Sequence, residues 1–526
     1  MSYNNDKKRM IIAMIVSLFP PVPVVNVPLR LAYRETVDPN KVDSAKTVLF
    51  SSFKNFIHYN CIEDLKIYID DVEYVKESGV GLTADEHEQQ QQHHSKTILS
   101  KISKFFKSDK SDEESEAAQI KSVYGVTDSN IIPLNEENAL FIPRVEHANK
   151  QVTLKFTIKK KPFELKATVQ HRHPRVWSDI KQLDLVSLEN EKIEEEQTAM
   201  TNSSFRVMQF NILADCYTSP ANYVGCPVYS LYRNYRQWVL PEYILEHSPD
   251  VVCLQEAEVR MERLTKKLVE AGYLHTPLCD LARYEEEQSI TYFKTSRYQP
   301  IELQMVHYKN LKNLLTPAQL DPLLKSSITA KYLDLLSSSM HHNKFSLALL
   351  QDKQTSSSIL FGSVHLHWGS PDFDINYIAQ VIQLHIFMMV VGNLLDKHSL
   401  PRDTPLVICG DYNNGPTQKA YTLMDYGQYE LNGYTLSHSF KMSSAYSHRP
   451  DGEPKYTIRT NHFTGSIDQI WMSEKLRVSK LLEIGDHYPR QLPSLTDPSD
   501  HIMMLADLYV SKHPRVTLTA ADNNQS

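Results

Sequence analysis

Two textures of apolar and polar alternation divide the chain. Between about residues 24 and 169, apolar positions alternate with Lys, Glu or Thr in short runs such as LRLAY, LKIYID, VTLKFTI and FELKATV. A period of two marks half-buried antiparallel strands. From Phe205 onward the apolar runs lengthen: RVMQFNIL, DVVCLQE, SITYFK, SILFGSVHLHW, PLVICGDYN, SIDQIWM and HIMMLADLYV predict strands. Between them YRQWVLPEYILEH, VRMERLTKKLVEAGY and YIAQVIQLHIFMMVVGNLLDKH predict helices, the last long and largely buried. Such alternation is that of an α/β layered domain.

Polar stretches punctuate this pattern. Glu86 to Glu116, containing QQQQHH and KSDKSDEESE, cannot bury enough surface to order itself and predicts a disordered loop near 84–118. His93 and His94 lie in this tract and are assigned to it rather than to a metal site. Glu189 to Asn202 predicts an interdomain linker. The expected organisation is a β-rich N-terminal domain over 1–188, a linker over 189–202, an α/β domain over 203–511 and a polar tail over 512–526.

A chain of 526 residues, 41% hydrophobic, holds two or three cores, so a single small module is excluded. Lys plus Arg number 56 against 63 Asp plus Glu, a formal charge of −7, which excludes a protein that coats nucleic acid by charge alone. The apolar run Met10 to Phe19 is too short to cross a bilayer and is followed by Pro20, Pro21 and Pro23, so neither a membrane helix nor a secretory signal is expected there. Six cysteines without a CxxC pair are expected to be reduced thiols of a cytosolic or organellar protein, with Cys253 and Cys409 packed in a core.

The chemistry is concentrated at strand ends. Asn211 follows RVMQF, Glu256 follows VVCLQ, His365 ends LFGSV, Asp411 and Asn413 follow PLVICG, and Asp500–His501 precede IMMLADL. A carboxylate beside a buried apolar run is unfavourable unless it is paired or binds a metal. Oxygen ligands from Glu, Asp and Asn suit Mg²⁺, with Mn²⁺ as a substitute. Each residue also has a plainer reading: Glu256 at the start of a helix, Asp411 and Asn413 in an Asx turn. Such residues at the ends of five separate strands favour a common site.

The strings FNILADCY, DVVCLQE, HLHW, CGDYNN, SIDQIW and PSDHI resemble, in order, the signature blocks of the exonuclease/endonuclease/phosphatase family over about Phe205 to Val510. The combination is similar to the deadenylase branch, and LRLAYRET, LKIYIDDVEYVKE, QHRHPRVW and LPSLTDPSDHIMMLADL resemble its 2′,5′-phosphodiesterases most. The resemblance implies a four-layered α/β sandwich of the DNase I-like type behind a smaller β-rich N-terminal domain. It implies Glu256, Asn211, Asp411, Asn413 and Asp500 around Mg²⁺, with His501 and His365 bracketing a scissile phosphate. Asp411 would activate water, Asn413 would orient an oxygen, and Asp468 would fix the tautomer of His501.

The implied activity is removal of 3′-terminal adenosine nucleotides from poly(A) and cleavage of 2′,5′-linked oligoadenylate. RNA is then the expected partner, with no membrane, in the mitochondrial matrix or alternatively the cytoplasm. Arg233, Arg236, Arg283, Lys294 and Arg459 are candidate groove cations, and Tyr217, Tyr223, Trp368 and Phe373 candidate stacking partners. Departures from the family pattern are Gln288, Lys294, Ser363–Val364 and Tyr456–Thr457–Ile458, which bear on base preference. A phosphatase of small phosphoesters and a silent binding module remain the alternatives.

Overall fold

The computed structural model describes separate strands up to residue 179, residues 150–158, and residues 190–513 apart from 259–260, 279–286, 338–342, 370–373, 486–487, 490 and 495. The chain forms two compact units, Met1–Arg172 and His173–Ser526. In the first, β1 (Ala13–Phe19), β2 (Arg30–Thr36) and β3 (Lys46–Leu49) form one antiparallel sheet. A second antiparallel sheet runs β5-β4-β6-β7, from β4 (Ile62–Ile69), β5 (Val72–Tyr74), β6 (Gln151–Ile158) and β7 (Lys161–Thr168). The loop expected near 84–118, Arg283, Phe373, and all but the first two residues of the expected tail lie outside the described residues.

The second unit begins with β8 (Trp177–Asp179) and α1 (Asn190–Ser203). The segment expected as a linker is therefore a helix. Its Glu196 is buried, and Oε1 accepts from Ser511 Oγ and from the N–H groups of Lys512 and His513. A polar sequence is held helical by a tertiary contact that its own periodicity does not announce.

A seven-stranded sheet has the order β11-β12-β10-β9-β24-β23-β8. Its further strands are β9 (Phe205–Asn211), β10 (Val251–Glu258), β11 (Tyr273–His275), β12 (Glu287–Lys294), β23 (Leu476–Leu482) and β24 (Met504–Val510). A six-stranded sheet, β13-β14-β15-β16-β22-β19, contains β13 (Tyr298–His307), β14 (Lys344–Asp352), β15 (Ser358–His365), β16 (Leu406–Asp411), β19 (Met442–Ser444) and β22 (Asp468–Ser473). Two small hairpins pair β17 (Gln428–Leu431) with β18 (Tyr434–Ser437) and β20 (Ile458–Arg459) with β21 (Thr464–Gly465). Strands β13, β14 and β23, and the helical insertion over 311–337, go beyond the elements read from the sequence.

Side-chain alternation builds the layers. Along β9 and β10, Val207, Val251 and Cys253 face a core shared with Phe361, Val407, Cys409 and Ile470 of the other sheet. Met208, Phe210, Val252 and Leu254 face outward onto α2 (Arg233–Leu245) and α3 (Glu262–Glu270). Leu360, Leu406 and Ile408 of the six-stranded sheet face a third core that includes the long helix Asp374–Lys397 and the helix Lys419–Tyr426. The result is helix, sheet, sheet, helix, the expected four-layered α/β sandwich. Both sheets are covered on two faces, so their central strands carry apolar side chains on both. The long helix has the length and composition of a membrane span, but 83% of that stretch is buried inside this unit.

Candidate active site

Chain direction brings the polar strand ends together. Strands β9 and β10 run parallel, as do β15 and β16, whereas β12, β22 and β24 run against them. The C-terminal ends of the first four therefore meet the N-terminal ends of the last three. Asn211 stands opposite Gln255, His365 opposite Asp411, and Asp411 opposite Asp468. Glu256 sits where the β10–β12 register shifts between Leu254 and Ala257, at φ 55°. An extra residue in a strand re-aims its side chain, here at the expense of a conformation that non-glycine residues seldom hold. Asn413 has φ 46° on the other sheet. Between them Gly410 lets β15 and β16 approach: a Cβ there would lie 2.5 Å from the Val364 carbonyl oxygen.

Asn211 Nδ2 donates to Glu256 Oε1 at 2.8 Å and to Asp411 Oδ2 at 2.9 Å, while its Oδ1 accepts from the Leu213 N–H. The amide bridges the two carboxylates, presenting N–H rather than the oxygen a metal would take. Glu256 Oε2 accepts from Ala214 N at 2.7 Å. Burial, then the neighbouring Glu287, pushes the Glu256 carboxyl up to about 7. Asp411 is likewise raised, by burial first and against the pull of His501.

His501 places Nδ1 2.8 Å from Asp468 Oδ2 and Nε2 3.6 Å from Asp411 Oδ2. Burial alone would lower this imidazole, but Asp468 and Asp411 hold it well above the ordinary histidine value. His365 has Nε2 3.7 Å from Asp411 Oδ2 and 4.0 Å from Glu256 Oε1, with Nδ1 3.8 Å from Glu287 Oε2. Its burial is outweighed by Glu287, Asp411 and Glu256, so it too is raised.

Asn211, Glu256, His365, Asp411, Asp468 and His501 thus converge. Asp500 accepts from Tyr223 OH at 2.9 Å and acts on Glu256 through charge. Asn413 Nδ2 donates to the Leu366 carbonyl, and its own N–H to Asp411 Oδ1. His367 is held away by Gln383 and Asn376, and the adjacent Trp368 is 76% exposed.

Several groove candidates have other work. Arg236 is fully buried, with Nε on the Pro498 carbonyl, Nη1 on Asp215 and Nη2 on the carbonyls of Ile212 and Leu213. It ties the loop after Asn211 to the loop before Asp500 and cannot face a substrate. Lys294 pairs with Asp250 and the Ser248 carbonyl at the opposite strand ends. Sequence reasoning also missed Glu287, which stands one residue ahead of the noted Gln288 and opposite Glu258 in the register. Its place in a run of three glutamates gave it the look of a surface loop.

Glu256, Asp411 and His501 each offer a ligand atom within 4.8 Å of the others, as do Glu256, Glu287 and His365. Crowded, buried carboxylates fit a divalent cation, whose charge relieves their repulsion.

Fold and site together define a two-sheet α/β protein with a carboxylate–histidine centre at one end of the sheets. The sequence profile of the Endonuclease/Exonuclease/phosphatase family matches residues 208–501, and the chain belongs to that family. It is 26% identical over 387 residues to the CCR4-Not complex 3′-5′-exoribonuclease subunit Ccr4 of Debaryomyces hansenii, covering 66% of this chain and 44% of that one. It is also 26% identical over 344 residues to 2′,5′-phosphodiesterase 12 of Mus musculus, covering 59% and 52%. The chain spans about half the length of the curated relatives it matches. Among solved structures, ANGEL2, a 2′,3′-cyclic phosphatase in complex with adenosine-2′,3′-vanadate, aligns at 20% identity and TM-score 0.49 over 64% of this chain and 99% of that one.

Proposed function

We propose that this protein is a divalent-metal-dependent phosphodiesterase that removes adenosine nucleotides from RNA 3′ ends, taking poly(A) and 2′,5′-linked oligoadenylate and releasing AMP. The observation that carries the reading is the Asp468–His501 pair aimed at the Glu256–Asp411 carboxylates. The names of the Ccr4 and 2′,5′-phosphodiesterase relatives support the substrate class.

Glu256 and Asp411 would hold the cation, Mg²⁺ or Mn²⁺, with Asn211 bridging the carboxylates. Such a cation neutralises phosphoryl oxygens and lowers the pKa of water. Asp411, ionised beside it, accepts the proton of the attacking water. His501, oriented by Asp468, donates from Nε2 to a phosphoryl oxygen, and His365 flanks the phosphate on the other side. Asn413 orients the reacting oxygens, while Asp500 acts through its charge.

The test is AMP release from 5′-labelled oligoadenylates with 3′,5′ and 2′,5′ linkages, with Mg²⁺ or EDTA, beside Glu256→Ala. Mg²⁺-dependent shortening that the variant loses is expected. Absence of shortening by the folded wild-type protein under every condition overturns the reading.

A further inference from the structure

The layer between the sheets carries polar side chains one step below the site. Gln209 on β9 and Gln255 on β10 belong to one sheet, Ser363 on β15 and Asp468 on β22 to the other, and all four are buried. Their neighbours along the same inward faces are Val207, Cys253, Phe361 and Ile470, members of the apolar core. A buried amide in a close-packed apolar layer is unfavourable unless its hydrogen bonds are made, and apolar residues of similar volume would serve the packing as well.

The bonds form one directed chain. Ser363 Oγ donates to the Leu254 carbonyl at 3.2 Å, so its oxygen accepts from Gln255 Nε2 at 3.0 Å. Gln255 Nε2 also donates to Gln209 Oε1 at 2.8 Å, and Gln209 Nε2 donates back to Gln255 Oε1 at 2.7 Å. The second N–H of Gln209 reaches Asp468 Oδ1 at 3.0 Å. An amide has donors on one end and an acceptor on the other, so turning either glutamine over would set oxygen against oxygen. Asp468 therefore receives an N–H at Oδ1, and its remaining oxygen, Oδ2, faces His501 Nδ1 at 2.8 Å.

We propose that Gln209 and Gln255 are positioning residues for His501: the amide pair holds the Asp468 carboxylate in the one rotation that binds Nδ1–H and leaves Nε2 facing the site. This rests on the reading of Asp468–His501 as part of a phosphodiesterase centre. The pair also joins the two sheets where their catalytic side chains must meet, so the distance between the halves of the site depends on it.

The experiment compares Gln209→Met, Asp468→Asn and the double variant in the full-length protein. Gln209→Met should lower kcat on oligoadenylate by about 10- to 100-fold with KM changed by less than about threefold, the size expected for a group that orients another. In the Asp468→Asn background the same change should cost less than about threefold, because both act through one group.

The independent readout is the proton NMR resonance of His501 Nδ1–H in EDTA, assigned by its loss in His501→Gln. It should shift upfield and exchange faster with water in Gln209→Met. Ser363→Ala, one amide further away, should move it less, and it replaces Gln209→Met if that variant does not fold. An unmoved resonance, or losses that multiply with Asp468→Asn, overturns the proposal. If the wild-type protein shortens no oligoadenylate, the phosphodiesterase reading fails, while the resonance still decides whether the glutamines position His501.

Discussion

The two ends of the layer between the sheets are equally buried and differently held. At one end lie Phe205, Val207, Val251, Phe361 and Val407, where shape and exclusion of water do the stabilising. At the other, the same strand faces present Gln209, Asn211, Gln255, Ser363, Asp411 and Asp468, every one buried and each with a hydrogen-bond partner. Positive φ does not separate the two ends: it occurs at Leu213, Glu256 and Asn413 beside the site and equally at Ser248, Ser356 and Ser399 in the loops that precede β10, β15 and β16. Burial alone therefore says little about role. The apolar end supplies the stability that lets the polar end keep crowded charge.

Substitutions at the two ends should separate stability from activity. Phe361→Ala is expected to lower unfolding free energy by about 3–5 kcal/mol, read by denaturant titration, with kcat of the folded fraction unchanged. Glu256→Gln should do the reverse, lowering kcat by about 10²- to 10³-fold in the oligoadenylate assay while stability in EDTA changes by no more than about 1 kcal/mol. If Phe361→Ala lost activity per folded molecule, or Glu256→Gln unfolded the protein, the division of labour would be wrong.

A smaller effect comes from buried polar groups away from the site. Burial holds His385 and His438 down to about 4, below the ordinary 6.5. The unfolded chain therefore takes up protons first as pH falls. Stability from these two is full above about 6.5 and declines as pH drops toward 4. Denaturation midpoints between pH 7.5 and 4.5 should fall, and His385→Leu should flatten that fall without changing kcat. An equal slope in the variant would show that other groups set the acid limit.

Much of the site was legible because strands deliver it. A polar residue bounding a long apolar run is conspicuous, and Glu256, His365, Asp411 and His501 all announced themselves in this way. Glu287 did not, since the glutamates before it disguise the start of β12. Gln209 and Gln255 stand inside their strands, where a lone polar residue has many ordinary explanations. Arg236 looked like a surface cation because charge rather than burial is what a sequence displays. The segment 190–203 was too polar to advertise a helix whose buried contact, Glu196, reaches residues more than 300 positions away.

The sequence by itself determined the layered α/β architecture and the kinds of chemistry available. Apolar runs need two covered faces, and carboxylates at their ends need partners. Only the tertiary structure decided which partners they meet. Strand direction put seven ends together, the bulge turned Glu256 inward, and the facing of two sheets set Gln209 against Asp468 across 259 residues of chain. Hydrogen bonds are directional and short, so their pairing is set by register and sheet packing, which local periodicity does not contain.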